Sequence, residues 1–306
     1  MEISVGLFLL LVIIAFGSEY IDSAFGMGYG TILSPVLLLL GFNPVVAIIA
    51  ILLSQACAGF AAAVLHHKAK NVCFSAGSRD LKIVLIMSIF GIISAVFATL
   101  ITIHLPQIVF KTYIAILVLV MGFIVLSNRK FKFSWVKMIA VGMLSSFNKG
   151  ICGCCYGPVL IAGQIMAGQK HKNAVGVTTL AEVPICLVTF LTYLISITVA
   201  QVRISGADMS VSEVISVMFS QQIFQWELLL ALLLGSAIAV PLGVLTTRDL
   251  NEKYMHTILG VLIIILGFWA MIEICFIKDL FFFYFKSCGR DLELSCMKQI
   301  MFLINL

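Results

Sequence analysis

Apolar stretches too long for a soluble core govern what this chain can become. A bilayer core roughly 30 Å thick takes about 20 apolar residues in a spanning helix, and six runs have about that length: 44–65, 83–105, 107–126, 173–200, 226–247 and 254–277. Composition agrees, with 62% apolar residues, 11% charged and a mean hydropathy of +1.16. Most of the 306 residues cannot face water, so an all-α polytopic membrane protein is the expected class. The net charge of +5 is then a topology signal and not a footprint for nucleic acid. The opening apolar run lacks a basic flank, and Glu2 has the wrong sign for a secretory signal. It is expected to stay on the protein.

Two glycine-rich stretches interrupt the pattern. Residues 18–41 read SEYIDSAFGMGYGTILSPVLLLLG, and residues 147–168 read FNKGICGCCYGPVLIAGQIMAG. A shift of 127 positions lays Ser18 on Ser145, Gly26 on Gly153, Tyr29 on Tyr156, Gly30 on Gly157 and Leu33 on Leu160. That is an internal repeat. The charges differ between copies, because Asp22 falls opposite Lys149 and Gln55 opposite Glu182.

Each break is flanked by shorter apolar pieces, 3–17 with 31–42 and 136–147 with 158–167. Each set is expected to form a helix pair meeting near the membrane middle. Five segments per repeat is an odd number, so the second copy must enter from the opposite side. The expected fold is two inverted five-segment repeats with broken or re-entrant hairpins meeting at the midplane. Residues 1–127 form the first repeat, 128–135 a basic cytoplasmic linker, 136–277 the second repeat and 278–306 an extracytoplasmic tail. Twelve of the 19 lysines and arginines fall on one side and six on the other, with Lys149 between. The richer side is expected to be cytoplasmic, with both termini outside a plasma or inner cell membrane. A short interfacial helix is expected within 201–225, and the FFFYF tail on the membrane surface.

Non-helical backbone inside a bilayer survives only where protein or a water-filled cavity surrounds it. Gly26, Gly28 and Gly30, with Gly150, Gly153 and Gly157, permit positive φ and close backbone approach, and are the expected hinges. Pro158 suits the first turn of a new helix. Short helices are expected to begin near Thr31 and Pro158, with N-terminal amides that attract anions. Inverted repeats, broken helices and a midplane site are together the architecture of many secondary transporters.

The break followed by P-x-L-L-L-x-G, repeated as GICGCCYGPVLIAGQIMAG with a downstream AVGVTTLAE, resembles the TauE/SafE family of sulfite and organosulfonate permeases. The resemblance covers most of residues 3–277. It implies a transporter of small sulfur-containing anions, most often an exporter. Met27 and Tyr29 depart from the family's glycine triplets in one copy, as do Cys152, Cys154 and Cys155 in the other.

Lys149 is the first candidate site residue. Lysine at a membrane centre costs about 2.5 to 3.5 kcal/mol and needs a partner or a wet cavity. It either pairs with Glu182 or Asp22 to fix packing, or contacts the anion directly. Asp22, Glu182 and Glu19 read equally as proton carriers or as counter-ions to the lysine. An anion expelled from a negative interior gains roughly 2.3 kcal/mol per charge for each 100 mV. Export can then run without a proton, whereas uptake needs a co-transported ion. Ser23, Asn148, Gln55, Gln164, Tyr29, Tyr156 and Thr178 complete the candidate substrate-binding shell.

The C-x-C-C cluster of Cys152, Cys154 and Cys155 could hold a soft metal or exchange with a sulfur substrate. Alternatively, small buried residues simply replace glycines there. Cys288 and Cys296 could form a disulfide, and His66 and His67 beside Lys68 read as a solvated basic face. No Ser-His-Asp set, nucleotide loop or zinc helix motif is present, so no catalytic residue, metal or cofactor is expected. The resulting expectation is a secondary transporter of a sulfite-, thiosulfate- or sulfoacetate-type anion working by alternating access. The alternatives are a thiol- or metal-handling membrane protein and an anion channel. Expected partners are the small anion and the lipid bilayer, with no nucleic acid, and a homodimer remains open.

Overall fold

The computed structural model describes residues 3–102, 134–166, 169–205 and 224–247, with single positions or short runs between 109 and 126, at 218, and between 257 and 272. The described secondary structure is all helical: α1 (Val5–Phe25), α2 (Tyr29–Leu39), α3 (Pro44–Lys68), α4 (Arg79–Thr102), α5 (Trp135–Cys152), α6 (Tyr156–Met166), α7 (His171–Ser205) and α8 (Trp226–Thr246). Five of these, α1, α3, α4, α7 and α8, are long and apolar enough to cross a membrane. The expected runs at 107–126 and 254–277 are described only in part. The linker over 128–133, the loop over 206–217 and the tail with Cys288 and Cys296 lie outside the described residues.

Local chemistry sets the helix ends. Ser4 Oγ accepts from the Leu7 amide at 3.3 Å and opens α1, while Asn43 Oδ1 accepts from Val45 at 3.0 Å ahead of Pro44 in α3. Gly26 and Gly153 close α1 and α5 with left-handed φ of 69° and 66°. Both positions require glycine's freedom, and they are one repeat shift apart.

The side chains are distributed in the opposite sense to a soluble protein. Ile93, Phe97, Ile195 and Ile238 point outward, while Glu19, Gln55, Lys149 and Glu182 are buried. Apolar surface can face lipid at little cost, whereas charge cannot.

The two halves interlock. Helix α1 packs on α8, and α5 on α4; α3 lies against α7. Each of these contacts joins an element of the first half to one of the second. At the breaks the contacts are reciprocal: a Cβ on Gly30 would strike the Gly153 carbonyl, and one on Gly157 would strike the Gly26 carbonyl. Gly26 likewise faces Val175, and Gly153 faces Ile48, 127 positions from Val175. Reciprocal contacts between equivalent patches are the mark of a two-fold relation.

The breaks are shorter than expected from the sequence. Helix α1 runs through 18–25 to Phe25 where an end at Gly17 was expected, and α5 reaches Cys152 rather than Phe147. Hydropathy drops at these turns because their polar side chains face the protein interior, not because the backbone opens. Only 26–28 and 153–155 leave helical geometry. Gly150 therefore sits inside α5, close to Ala95 and Ala98 of α4, and does not belong to a break. Helices α2 and α6 start two residues earlier than expected, with Gly30, Gly157 and Pro158 in their first turns.

Candidate functional site

Breaking a helix inside a membrane leaves its last carbonyls without partners. The Gly150 carbonyl accepts from the Tyr193 hydroxyl at 2.8 Å and from Thr99 at 3.3 Å. Its repeat equivalent, the Ser23 carbonyl, accepts from His66 Nε2 at 3.0 Å and from Thr247 at 3.2 Å. His66 and Tyr193 are themselves 127 positions apart, so one post is filled by imidazole in one half and by phenol in the other. His66 is 0% exposed, which corrects the reading of it as part of a solvated basic face. Its Nε2 must carry the proton to meet a carbonyl, leaving Nδ1 to accept from the Asn71 amide at 3.1 Å. Ser34 covers the Cys152 carbonyl at 2.9 Å, and the Cys155 amide donates to Thr31 Oγ1 at 3.3 Å.

Between the breaks lies a polar cluster drawn from four helices. Glu182 Oε1 on α7 forms an ion pair of 2.8 Å with Lys149 Nζ on α5. The same oxygen accepts from Gln55 Nε2 on α3 at 3.0 Å, and Gln55 Oε1 accepts from Lys149. Gln55 thus touches its own repeat equivalent. From α1, Asp22 and Glu19 lie close enough to feel the charges of Lys149 and Glu182. Ser23 Oγ donates to Glu19 Oε1 at 2.7 Å, and Asp22 Oδ1 accepts from the Tyr29 amide at 3.3 Å, at the N-terminus of α2. One ammonium, 1% exposed, faces three buried carboxylates.

The remaining candidates sort by partner. Tyr29 donates to Ser54 at 2.7 Å and receives Ser236 at 3.1 Å. Its equivalent Tyr156, 1% exposed and close enough to Glu182 and Cys186 to feel their charge, has no partner for its hydroxyl among the described residues. Asn148 Oδ1 accepts from Tyr113 at 2.6 Å, while its Nδ2 is unpartnered among the described residues, as is Glu19 Oε2. Gln164 bonds Thr178 at 2.8 Å, pairing with it rather than with Lys149. The structure therefore gathers Lys149, Gln55, Glu182, Asp22, Glu19 and Ser23, with Tyr156 beside them. Tyr193 and Tyr113 escape the sequence reading and His66 is misread by it, although the repeat shift aligns His66 with Tyr193.

The three cysteines of the second break are fully buried and stand in a row. Cys152 Sγ lies 3.0 Å from Cys154 Sγ, which lies 3.3 Å from Cys155 Sγ, and Cys152 donates to the Asn148 carbonyl at 2.9 Å. Cys155 adopts a positive φ of 63°. Among the described residues no group of three histidine, cysteine or acidic side chains is arranged to hold a metal ion.

Comparison with known proteins finds relatives of this chain. A probable membrane transporter protein, YtnM of Bacillus subtilis (strain 168), is 24% identical over 268 residues, covering 84% of this chain and 80% of its own. No solved structure matches the chain. The model of the family described as sulfite exporter TauE/SafE matches residues 10–270, which take in both breaks and every residue of the Lys149 cluster. The chain is a multi-pass membrane protein that belongs to the sulfite exporter TauE/SafE family.

Proposed function

We propose that the protein is a secondary transporter that carries a small anion, of the sulfur oxyanion or organosulfonate class, past Lys149 by alternating access. The observation that carries the reading is the Lys149–Gln55–Glu182 group, buried at the meeting point of two helix breaks. A lysine there costs about 2.5 to 3.5 kcal/mol, and a pair that merely fixed packing would need no further donors. The Tyr156 hydroxyl, near Glu182 and without a partner among the described residues, is such a donor. It matches the oxygen-rich, negatively charged ligand implied by the family's description.

The reciprocal contacts support a molecule whose halves rock about one pseudo-two-fold axis. The odd number of segments per repeat supports an axis in the membrane plane, hence inverted repeats. Gly26 and Gly153, which end α1 and α5 in left-handed geometry, are the hinges of this motion. The basic side faces the cytoplasm and the termini face out.

The test is thermal stabilisation of purified protein by sulfite, thiosulfate, sulfate, sulfoacetate, taurine and chloride, with Lys149→Met in parallel. Ligand at about 100 times its Kd stabilises by roughly 2.7 kcal/mol. Saturable stabilisation by a sulfur anion, lost in Lys149→Met, supports the reading; no response to any anion refutes it.

The contact of three thiols favours one second reading, a thiol-handling protein centred on Cys152, Cys154 and Cys155. Stabilisation by copper(I) or zinc that Cys154→Ser abolishes, without any anion response, selects it.

A further inference from the structure

We propose that Glu182 is an internal counter-ion which the transported anion replaces, so that each anion is carried together with one proton held by Glu182. The inference rests on the anion-transport reading above and adds its coupling.

The geometry makes substrate and Glu182 competitors. Glu182 Oε1 takes two donors at once, Lys149 Nζ at 2.8 Å and Gln55 Nε2 at 3.0 Å. A sulfonate or sulfite oxygen is an acceptor of the same sign and size, and these are the donors it needs. In the state seen here the carboxylate occupies the anion's place.

Charge then dictates the exchange. An anion arriving beside an ionised Glu182 would put two negative charges on one ammonium, with Asp22 and Glu19 already near. At about 4 Å and an effective dielectric of about 20, one such repulsion weakens binding about a thousandfold. A proton on Glu182 removes it and frees Lys149. The protonated carboxyl becomes a donor, and Gln55 Oε1 is an acceptor within the same group. When the anion leaves, Glu182 recovers Lys149 and releases its proton to the same side.

The surroundings of Glu182 contain few other groups that could play this part. Helix α1 presents Asp22 and Glu19, α5 presents Lys149, and α6 presents Tyr156; on its own helix Cys186 is near. Helix α3 contributes the neutral Gln55, and its His66 is engaged with Ser23 and Asn71. Helix α4 contributes Ser88, which donates to the Ala181 carbonyl at 3.3 Å. Asp80 of α4 receives Asn173, nine residues before Glu182 on α7. Asp22 is occupied by the Tyr29 amide and Glu19 by Ser23. Asp22 also reaches the Gln55 side chain, but among the described residues it is Glu182 whose one oxygen takes both the Lys149 ammonium and the Gln55 amide.

Titration calorimetry of the full-length protein tests this, using thiosulfate, methanesulfonate and sulfoacetate, whose own protonation does not change near neutral pH. Heats in buffers of different ionisation enthalpy give protons taken up per anion bound. The native protein should take up about one, and its affinity should fall about tenfold for each unit rise in pH once Glu182 is ionised in the free state. Glu182→Gln, which mimics the protonated side chain, should bind with no proton uptake and no dependence on pH. Anion binding to the native protein without protons and with a flat pH profile overturns the coupling while leaving anion transport intact. Proton uptake persisting in Glu182→Gln overturns the assignment to this residue. If that variant does not fold, Asp22→Asn and Glu19→Gln take its place, and proton uptake lost in either of them overturns the assignment to Glu182. If none of the three anions binds, the transport reading fails and the coupling fails with it.

Discussion

Adding one methyl group at Gly157 should separate the two breaks. The new Cβ would press on the Gly26 carbonyl oxygen, with Met27 Cα at 2.9 Å and the Gly26 carbonyl carbon at 3.1 Å. These are backbone atoms and cannot swing aside, so α6 must shift against the first break. Overpacking of this kind costs about 1 to 3 kcal/mol, while replacing glycine by alanine within a helix returns up to about 1 kcal/mol. The net expectation for Gly157→Ala is a loss of about 1 to 2 kcal/mol. Gly30→Ala meets the Gly153 carbonyl in the same way, with Cys154 Cα at 3.2 Å, and should cost a similar amount. Gly17→Ala is the control: it lies within α1 with nothing inside 4 Å of the added carbon. That variant should gain about 0.5 to 1 kcal/mol from helix propensity alone. Thermal unfolding in detergent, run on all three, reads opposite signs for the contact and control positions. Gly157→Ala as stable as Gly17→Ala would refute the reciprocal contact, and so would a large difference between Gly30→Ala and Gly157→Ala.

Three further outcomes follow from the hydrogen bonds. Tyr156→Phe removes a buried hydroxyl without a described partner, so stability should hold or rise, yet anion affinity should fall roughly tenfold if that hydroxyl meets the substrate. Tyr29→Phe should instead cost about 1 kcal/mol in unfolding experiments, because the hydroxyl joins Ser54 to Ser236. Tyr193→Phe strips a donor from the Gly150 and Ile151 carbonyls at the end of α5 and should destabilise by about 1 to 2 kcal/mol. A Tyr193→Phe variant unfolding at the native temperature would show that these carbonyls find other partners.

Much of this arrangement is legible in the sequence because membrane burial and internal repetition leave strong marks. Runs of apolar residues announce α3, α4, α7 and α8 to within about five residues at either end, and the repeat shift pairs Gly26 with Gly153 before any coordinates exist. Lys149 and Glu182 are conspicuous because charge in such runs needs a reason. The extent of the breaks is less legible. Hydropathy records what a side chain prefers, not what the backbone does, so the inward-facing Glu19, Asp22 and Asn148 look like loop residues when they are helical. His66 misleads for a related reason: it adjoins His67 and Lys68 in sequence, but one step along a helix turns a side chain by about a quarter of the circumference. His67 points out while His66 points in. The choice of Glu182 over Asp22 as partner of Lys149 depends on tertiary distance, which no spacing along the chain reveals.

A molecule with perfect two-fold symmetry would have two open conformations of equal free energy, since each would be the other viewed from the far side. The residues at equivalent places in the two halves are unequal: Gln55 stands against Glu182, Asp22 falls where the other half has Lys149, and His66 matches Tyr193. In the proposed alternating-access cycle each mismatch makes the two conformations unequal in free energy. Under the alternating access proposed above, the resting orientation of the empty protein would be set by a handful of side chains where the halves meet, and exchanging Asp22 with Lys149 would be a way to reverse it.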